Sequence, residues 1–274
     1  MTTRTALGKT YIHDGKTADI SELSSDMSAD IYYEVVRLID HRILFLEDHL
    51  DRLENSMRGS GLAYPGKEGI KESIRLLLLN NDEPVGNIRI CVQSSQVANQ
   101  SLLCYFVPYF YPDECMYKSG VQLASFPHER PNPGIKKWDD RFRKKVNEFI
   151  RDHGIYEAIL MNFQHELTEG SRSNIFFIDQ ENRLITPPVE EILPGITRKY
   201  VLQICQEEQI EVREEPILLK ELDRMDSCFI SGTSPKVLPV WQLDGFQFNT
   251  DHRLLQLIME RFEAMTKENV VSLT

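Results

Sequence analysis

An acid and a row of small polar residues stand before an apolar run in the second half of the chain. Residues 166–178 read ELTEGSRSNIFFI, so Glu169 and the polar residues after it directly precede IFFI. Such an apolar run is typical of a buried strand. A polar group buried without a partner costs roughly 2–7 kcal/mol. We therefore expect these polar residues either to cap one another in a turn or to surround a bound group.

Two further turns have the composition of an anion site. They read PGITR at residues 194–198 and ISGTSP at residues 230–235. A helix N terminus offers unpaired backbone N–H groups and the positive end of a dipole. Gly232 lets a backbone approach an oxygen-rich ligand, and Thr197 and Thr233 add hydroxyl donors. Each turn alone is explained equally well by a simple cap.

Basic residues for such a site occur at two places. Arg52, within EDHLDRL, would supply the full positive charge that a phosphate prefers. Lys136 and Lys137 end a Pro/Gly-rich stretch, PHERPNPGIKK, which is either a linker or a site loop. Adjacent side chains on an extended segment point to opposite sides, so only one of the two lysines would face a site. For an isolated residue of either type, a solvated surface position is the usual explanation.

The composition excludes several classes of protein. The chain has 274 residues, 41% of them hydrophobic, which suits one large domain or two medium ones. Its net charge of -11 argues against broad binding to nucleic acid or to an anionic membrane. No apolar run approaches a membrane span, and the first residues lack the apolar core of a secretory signal, so we expect a cytoplasmic protein. The five cysteines have no metal-site spacing, so we predict no metal and interpret several of them as core residues.

The pattern of elements predicts an α/β protein in two halves. Residues 31–39 are rich in Tyr, Val and Ile and predict a strand, whereas the apolar spacing over 67–79 and 252–266 predicts helices. The polar loop around Glu169 leads into a strand over 174–178. The halves are joined near residues 115–130.

Taken in order, these segments resemble the fold-type IV (class IV) pyridoxal-phosphate-dependent aminotransferases. That family contains branched-chain and D-amino-acid aminotransferases and aminodeoxychorismate lyase. The resemblance is carried by YEVVRLIDHRILFLEDHLDRL, a loop lysine, YEAIL, LTEGSRSNIFFI, ILPGITR and SGTSP, from Tyr32 to about Val240. It implies a smaller N-terminal α/β sandwich over residues 1–118, an interdomain loop over 119–130 and a larger C-terminal pseudo-barrel domain over 131–274. Pyridoxal 5'-phosphate (PLP) would lie between the two domains.

The resemblance also implies which residues bind the cofactor ring. Glu169 matches the acid that bonds the pyridine nitrogen, and a carboxylate there keeps the ring protonated and a better electron sink. Ser173 and Asn174 then support the ring or the glutamate. A turn that caps the strand remains the interpretation for Ser171 and Arg172.

The resemblance implies phosphate binding at three places in the sequence. These are Arg52, the backbone of Ile196 and Thr197 at a helix start, and Thr233 with Gly232 beside it. One arginine, two amides and a hydroxyl would be a sufficient cage for a dianion.

The family has a lysine that forms a Schiff base with the cofactor and later moves a proton. Lys136 aligns better with it than Lys137, because Arg143 and Asn147 follow at matching distances, but Lys137 remains the alternative. Tyr33 matches a tyrosine on the substrate side of the cofactor. A core or surface tyrosine on a strand is an equally good interpretation.

The chain departs from the family pattern at several positions. The Arg-x-His pair with which D-amino-acid enzymes hold a carboxylate is missing from residues 94–110, and residues 24–34 replace a glycine-rich lead-in. Arg141 stands where branched-chain enzymes have a tyrosine five residues after the lysine, and it is a substrate-side candidate. Arg130 and His128 are candidates for binding a substrate carboxylate, although solvated loop charges would explain them as well.

The function that the resemblance implies is transfer of an amino group between an amino acid or amine and a 2-oxo acid. A lyase of the aminodeoxychorismate type, which releases pyruvate, is the alternative. A non-catalytic relative that binds a ligand is a further one. We expect small-molecule substrates, no nucleic-acid or membrane partner, and a homodimer, as is usual in the family.

Overall fold

The computed structural model describes residues 6–23, 30–95 and 99–273. The chain forms two compact units. Unit 1 is Met1–Phe110, Ile135–Asp140 and Glu268–Thr274, and unit 2 is Tyr111–Gly134 and Arg141–Lys267. The domain boundaries expected from the sequence, at residues 118 and 131, would assign Ile135–Asp140 and Glu268–Thr274 to the C-terminal domain. They belong to unit 1 because each forms backbone hydrogen bonds with its strands.

The bounds of the elements follow in chain order. The strands are β1 Leu7–His13, β2 Lys16–Asp19, β3 Ile31–Ile39, β4 Arg42–Leu44, β5 Gly86–Ser95, β6 Asn99–Val107, β7 Val121–Pro127, β8 Glu157–Met161, β9 Glu166–Gly170, β10 Asn174–Asp179, β11 Leu184–Thr186, β12 Val212–Glu214, β13 Ile217–Leu218, β14 Met225–Gly232, β15 Lys236–Leu243, β16 Phe246–Gln247 and β17 Val270–Ser272. The helices are α1 Leu46–Met57, α2 Lys67–Leu79, α3 Glu114–Ser119, α4 Asp140–His153, α5 Ile196–Glu207 and α6 Arg253–Glu268.

Unit 1 is an antiparallel sheet in the order β17-β4-β3-β5-β6-β1-β2. Alternation along β3 sends Tyr32 and Val36 into a core shared with α1 and α2. Ile31 and Tyr33 face the other side, against an aromatic cluster that includes Trp138. β3 is thus covered on both faces and presents side chains to two different environments.

Unit 2 is a mixed sheet whose strands run in the order β12-β11-β10-β14-β15-β7-β8-β9-β13, with β16 on β15. β10 is buried along its whole length, as the predicted strand at 174–178 requires. Its partner β14 ends at Gly232, so the loop before β10 and the turn after β14 share one edge of the sheet.

The predicted elements correspond closely to the observed ones. The strand over 31–39 and the helix over 67–79 are confirmed, and the last helix runs over Arg253–Glu268. Four cysteines are buried and Cys115 is exposed. Within the described ranges no helix is both long and apolar enough to cross a membrane. Residues 24–29 and 96–98, in two of the departures from the family pattern, lie outside the described residues.

A buried ion pair joins α1 to β3. Glu34, on the same face of β3 as Tyr32, is fully buried. Arg52 donates from Nε to Glu34 Oε1 at 2.7 Å and from Nη2 to Oε2 at 2.8 Å. His49 Nδ1 lies 2.8 Å from Oε2. Two residues of α1 are therefore fixed by one carboxylate of the sheet.

The protonation states of this cluster follow from its surroundings. Burial by itself would raise the pKa of Glu34, but Arg52 and His49 outweigh it and hold that pKa well below its usual range. Burial lowers the pKa of His49, so the ring is neutral at pH 7 and donates its Nδ1–H. The carboxylate and the guanidinium are the two charges of the cluster.

We predict that Glu34→Gln destabilises unit 1 by about 3–5 kcal/mol, because it leaves a buried guanidinium without its counter-charge. Urea unfolding at pH 7 measures this. Since the folded pKa of Glu34 lies below its unfolded value, the ionised carboxylate stabilises at neutral pH. That contribution is lost as pH falls below about 4, so the gap between wild type and variant narrows there.

Glu47→Gln is the matched control. Glu47 lies on α1, the helix that carries Arg52, but it is half exposed and pairs with surface lysines, so its loss costs about 0–1 kcal/mol. Equal losses in the two variants would contradict a structural role for the Glu34 pair.

Candidate active site

The lysine segment is attached to the open edge of β3. β4 pairs with β3 only at Leu38 and Ile39. Nearer the start of β3, Tyr33 N–H donates to Lys136 O at 3.2 Å, and Lys136 N–H donates to Ser56 Oγ of α1 at 3.2 Å. The backbone of Lys136 is therefore fixed from both the sheet and the helix.

The side chains of the two lysines diverge. Lys136 is half-buried, with Nζ 5.1 Å from the ring centroid of Tyr33. Lys137 Nζ lies 2.8 Å from Asp30 Oδ1, where both side chains are substantially exposed. The hydrogen bond from Lys137 to Asp30 raises the pKa of Lys137, which keeps it charged. Lys136 has the more enclosed position, and Lys137 is tied to a surface partner.

Tyr33 faces an arginine that the sequence analysis did not single out. Trp138 packs edge-on against Tyr33, with centroids 5.4 Å apart. The Arg89 guanidinium carbon lies 4.5 Å from the Trp138 centroid, 5.7 Å from that of Tyr33 and 5.9 Å from that of Tyr105. The signal in the sequence was a lone charge within the apolar strand NIRICV. The three rings attract the cation electrostatically and hold it in place.

The serine hydroxyls of the loop after β9 bind a buried acid in β8. Ser171 Oγ donates to Glu157 Oε1 at 2.6 Å, and Ser173 Oγ donates to Glu157 Oε2 at 3.3 Å. Ala158 N–H donates to Oε1 as well, at 3.1 Å. Glu157 was also missed at the level of sequence, where its signal was an acid opening the apolar strand YEAIL. It is the partner that makes this polar loop tolerable in the interior.

Glu169 is buried, with a hydrogen bond at one carboxylate oxygen and an ion-pair contact at the other. Leu193 N–H donates to Oε2 at 3.1 Å, and Arg130 Nε lies 2.7 Å from Oε1. Arg130 and Arg143 both donate to the Ser171 carbonyl, at 3.1 and 2.7 Å. Arg130, a candidate for a substrate carboxylate, thus has a carboxylate of the protein itself as its partner.

The other basic candidates lie near the start of α4. The His128 ring stacks on Phe142, with centroids 4.2 Å apart. Arg141 is exposed. Arg172 is exposed too and donates to Asn147. The substrate-side role of Arg141 stays a prediction.

Asn174 connects the loop after β9 with the two predicted anion turns. Its Nδ2 donates to Leu193 O at 3.0 Å. A Cβ on Gly195 would overlap Asn174 Oδ1, so a side chain there is excluded by packing. Across the sheet Asn174 pairs with Ser231, the residue before Gly232. All three polar turns of unit 2 therefore meet at one edge of its sheet.

The start of α5 and the end of β14 have the features of an anion site. Gly195 is the N-cap of α5, and no side chain of the described residues caps it. Ile196 and Thr197 form the first helical positions, and both are buried. Ser231 Oγ is buried without a hydrogen-bond partner in the described part of the chain, and Thr233 follows two residues later. Within the same ranges no group of acids, histidines and cysteines is arranged to hold a metal ion.

Comparisons with known proteins identify the family of the chain. The family model for class IV amino-transferases matches residues 32–243. A putative branched-chain-amino-acid aminotransferase of Methanocaldococcus jannaschii is 28% identical, over 91% of this chain and 92% of that protein. A D-alanine aminotransferase of Bacillus licheniformis is 26% identical, over 85% of this chain and 88% of that protein.

A solved structure matches the fold. The branched-chain amino acid aminotransferase of Escherichia coli has a TM-score of 0.86 at 20% identity, over 98% of this chain and 100% of that one. The predicted fold-type IV class is confirmed. Since the family model spans most of the chain, from β3 to the end of β15, this protein belongs to the class IV aminotransferases, which are PLP-dependent enzymes.

Proposed function

We propose that the protein transfers an amino group from an amino acid or amine to a 2-oxo acid, with PLP as its cofactor. The observation that carries the proposal is the placement of Lys136. Its backbone is held by β3 and α1, and its amine faces Tyr33, whereas Lys137 turns to Asp30. A rigidly attached lysine beside an aromatic ring suits a group that must bind a cofactor and then move a proton.

The residues present fit PLP at each of its polar ends. A buried carboxylate at Glu169 suits the ring nitrogen, and Lys136 suits the aldehyde. The uncapped start of α5 supplies the amides of Ile196 and Thr197 for a phosphate. When bound, PLP withdraws the electron pair left at the substrate Cα as its proton departs.

Arg52 would supply positive charge to the phosphate while its Nε and Nη2 donate to Glu34. Glu34 thereby holds the arginine in a fixed direction. Thr233, with Gly232 beside it, would add a hydroxyl donor.

The protein's own groups then carry the proton transfer. Lys136 Nζ would take the proton from the substrate Cα and deliver it to the C4′ carbon of the cofactor. Glu169 keeps a negative charge at the ring nitrogen. Ser173 and Asn174 act indirectly, since Ser173 binds Glu157 and Asn174 holds the Leu193 carbonyl.

We predict that Lys136→Ala lowers the rate of amino transfer by about 10²–10⁴-fold, as expected for loss of a general acid–base group. Lys137→Ala serves as the matched control and should stay within a few-fold of wild type. Branched-chain amino acids and D-alanine, the substrates named for the relatives, are the first donors to test. 2-Oxoglutarate would be the acceptor, with both products measured by mass spectrometry.

The acceptor also separates the aminotransferase from the lyase. Continued turnover that requires a 2-oxo acid supports the proposal. Release of pyruvate from an aminodeoxychorismate substrate without an acceptor would contradict it and favour the lyase. A loss of activity confined to Lys137→Ala would move the catalytic role by one residue.

We further propose that Arg89 binds the carboxylate of the substrate. Its guanidinium lies over both the Tyr33 and Trp138 rings, and Tyr33 is the substrate-side tyrosine of the proposal. Stacking on rings leaves the edge of a guanidinium able to donate to an anion.

Arg89→Met should raise the KM for an amino acid about 10- to 100-fold, because a hydrogen bond to a charged group contributes about 1.5–3 kcal/mol. The PLP affinity should stay within a few-fold of wild type, which is the control for correct folding. An unchanged KM, or an equal loss of PLP affinity, would contradict this assignment.

A homodimer and a cytoplasmic location complete the proposal. Both rest on the resemblance to the family. Light scattering on the purified chain tests the first, and a monomer at micromolar concentration would contradict it.

A further inference from the structure

We propose that Arg130 is a positioning residue that holds the Glu169 carboxylate charged and correctly oriented for the ring nitrogen of PLP. The inference rests on the proposed function, because it assumes that Glu169 meets that nitrogen. It assigns Arg130 to the protein's own acid and not to the substrate.

The carboxylate needs such a partner because of its burial. Glu169 is 3% exposed. A buried charge is tolerated only when it is paired and hydrogen-bonded. Arg130 Nε lies 2.7 Å from Oε1, and Leu193 N–H donates to Oε2 at 3.1 Å. Oε2 is held by a backbone hydrogen bond and Oε1 by a guanidinium in ion-pair contact, so both ends of the carboxylate are constrained.

Arg130 is itself anchored, so it can impose that orientation. Its Nη2 donates to the Ser171 carbonyl at 3.1 Å, and its guanidinium carbon lies 5.2 Å from the Phe142 centroid. The planar fork of an arginine can reach Glu169 and Ser171 at once. A lysine would supply the charge and only part of this geometry.

The effect of Arg130 on PLP binding should therefore depend on a single cofactor atom, the ring nitrogen. Without the guanidinium, the buried carboxylate loses its counter-charge and turns away, so its attraction for the ring nitrogen weakens. A cofactor analogue with carbon in place of that nitrogen would not sense the change. This separates positioning of Glu169 from a general loss of structure.

The test compares the binding of PLP and of 1-deaza-PLP to the full-length apoprotein, by quenching of protein fluorescence. We expect the wild type to prefer PLP by at least 10-fold and Glu169→Gln to lose most of that preference. Arg130→Gln should lower the preference at least 5-fold, with the affinity for 1-deaza-PLP almost unchanged. Arg130→Lys should restore part of it.

Arg143→Gln is the matched control. Arg143 donates to the same Ser171 carbonyl at 2.7 Å and lies over the same Phe142 ring at 5.5 Å. This variant removes the contacts of Arg143 with Ser171 and Phe142 and leaves the Arg130–Glu169 pair intact. The preference for PLP over 1-deaza-PLP should therefore remain.

Three outcomes would overturn the inference. They are an unchanged preference in Arg130→Gln, an equal loss of affinity for both cofactors, and the same loss of preference in Arg143→Gln. If any of these three outcomes occurs while the wild type still prefers PLP, only the role of Arg130 is refuted and the proposed function is not. A wild type that binds no PLP would refute both.

Discussion

The ion pair between Glu34 and Arg52 fixes the part of the protein on which the proposed chemistry depends. Glu34 belongs to β3, and Arg52 lies one turn before Ser56 on α1. Tyr33, the neighbour of Glu34, donates to the Lys136 carbonyl, and Ser56 accepts from the Lys136 N–H. The pair that binds the helix to the sheet therefore also sets the distance between the two points that hold the lysine. A buried ion pair is a costly way to join two elements, but it specifies one arrangement.

In unit 2, the polar loop after β9 lies in the interior, beside a buried strand of the sheet. The hydroxyls of Ser171 and Ser173 are satisfied by Glu157, and the loop carbonyl of Ser171 by two arginines. Glu169 stays at the end of β9 with its own two partners. Because these hydroxyls and this carbonyl have defined partners, the loop can be both buried and ordered. That order is what a fixed cofactor contact would require.

Much of the fold follows from periodicity. The alternation along β3 separates Tyr32 from Tyr33, and the same alternation separates Lys136 from Lys137. The elements that pattern and breakers define, such as α2, have the bounds that the sequence predicts. Burial of the loop after β9 was also foreseeable, since it leads directly into an apolar strand.

The partners of the polar groups could not be predicted in the same way. Glu157 reaches Ser171 across the pairing of β8 with β9, and a sequence carries no register between strands. Arg130 looked like a solvated loop charge because its partner, Glu169, lies far along the chain. Arg89 is recognisable in the sequence as a charge in an apolar strand. Its proposed role follows only from its packing against the Tyr33 and Trp138 rings. Periodicity in a sequence indicates which residues are buried. The partners of buried polar side chains become known only from the folded structure.

In the proposed function, Lys136 is the residue to which the cofactor is attached. The most direct measurement is to load the purified protein with PLP, reduce it with borohydride, digest it with a protease that does not cut at lysine, and sequence the modified peptide by mass spectrometry. We expect the phosphopyridoxyl group on Lys136. Modification of Lys137 in its place, or of neither lysine, would contradict it.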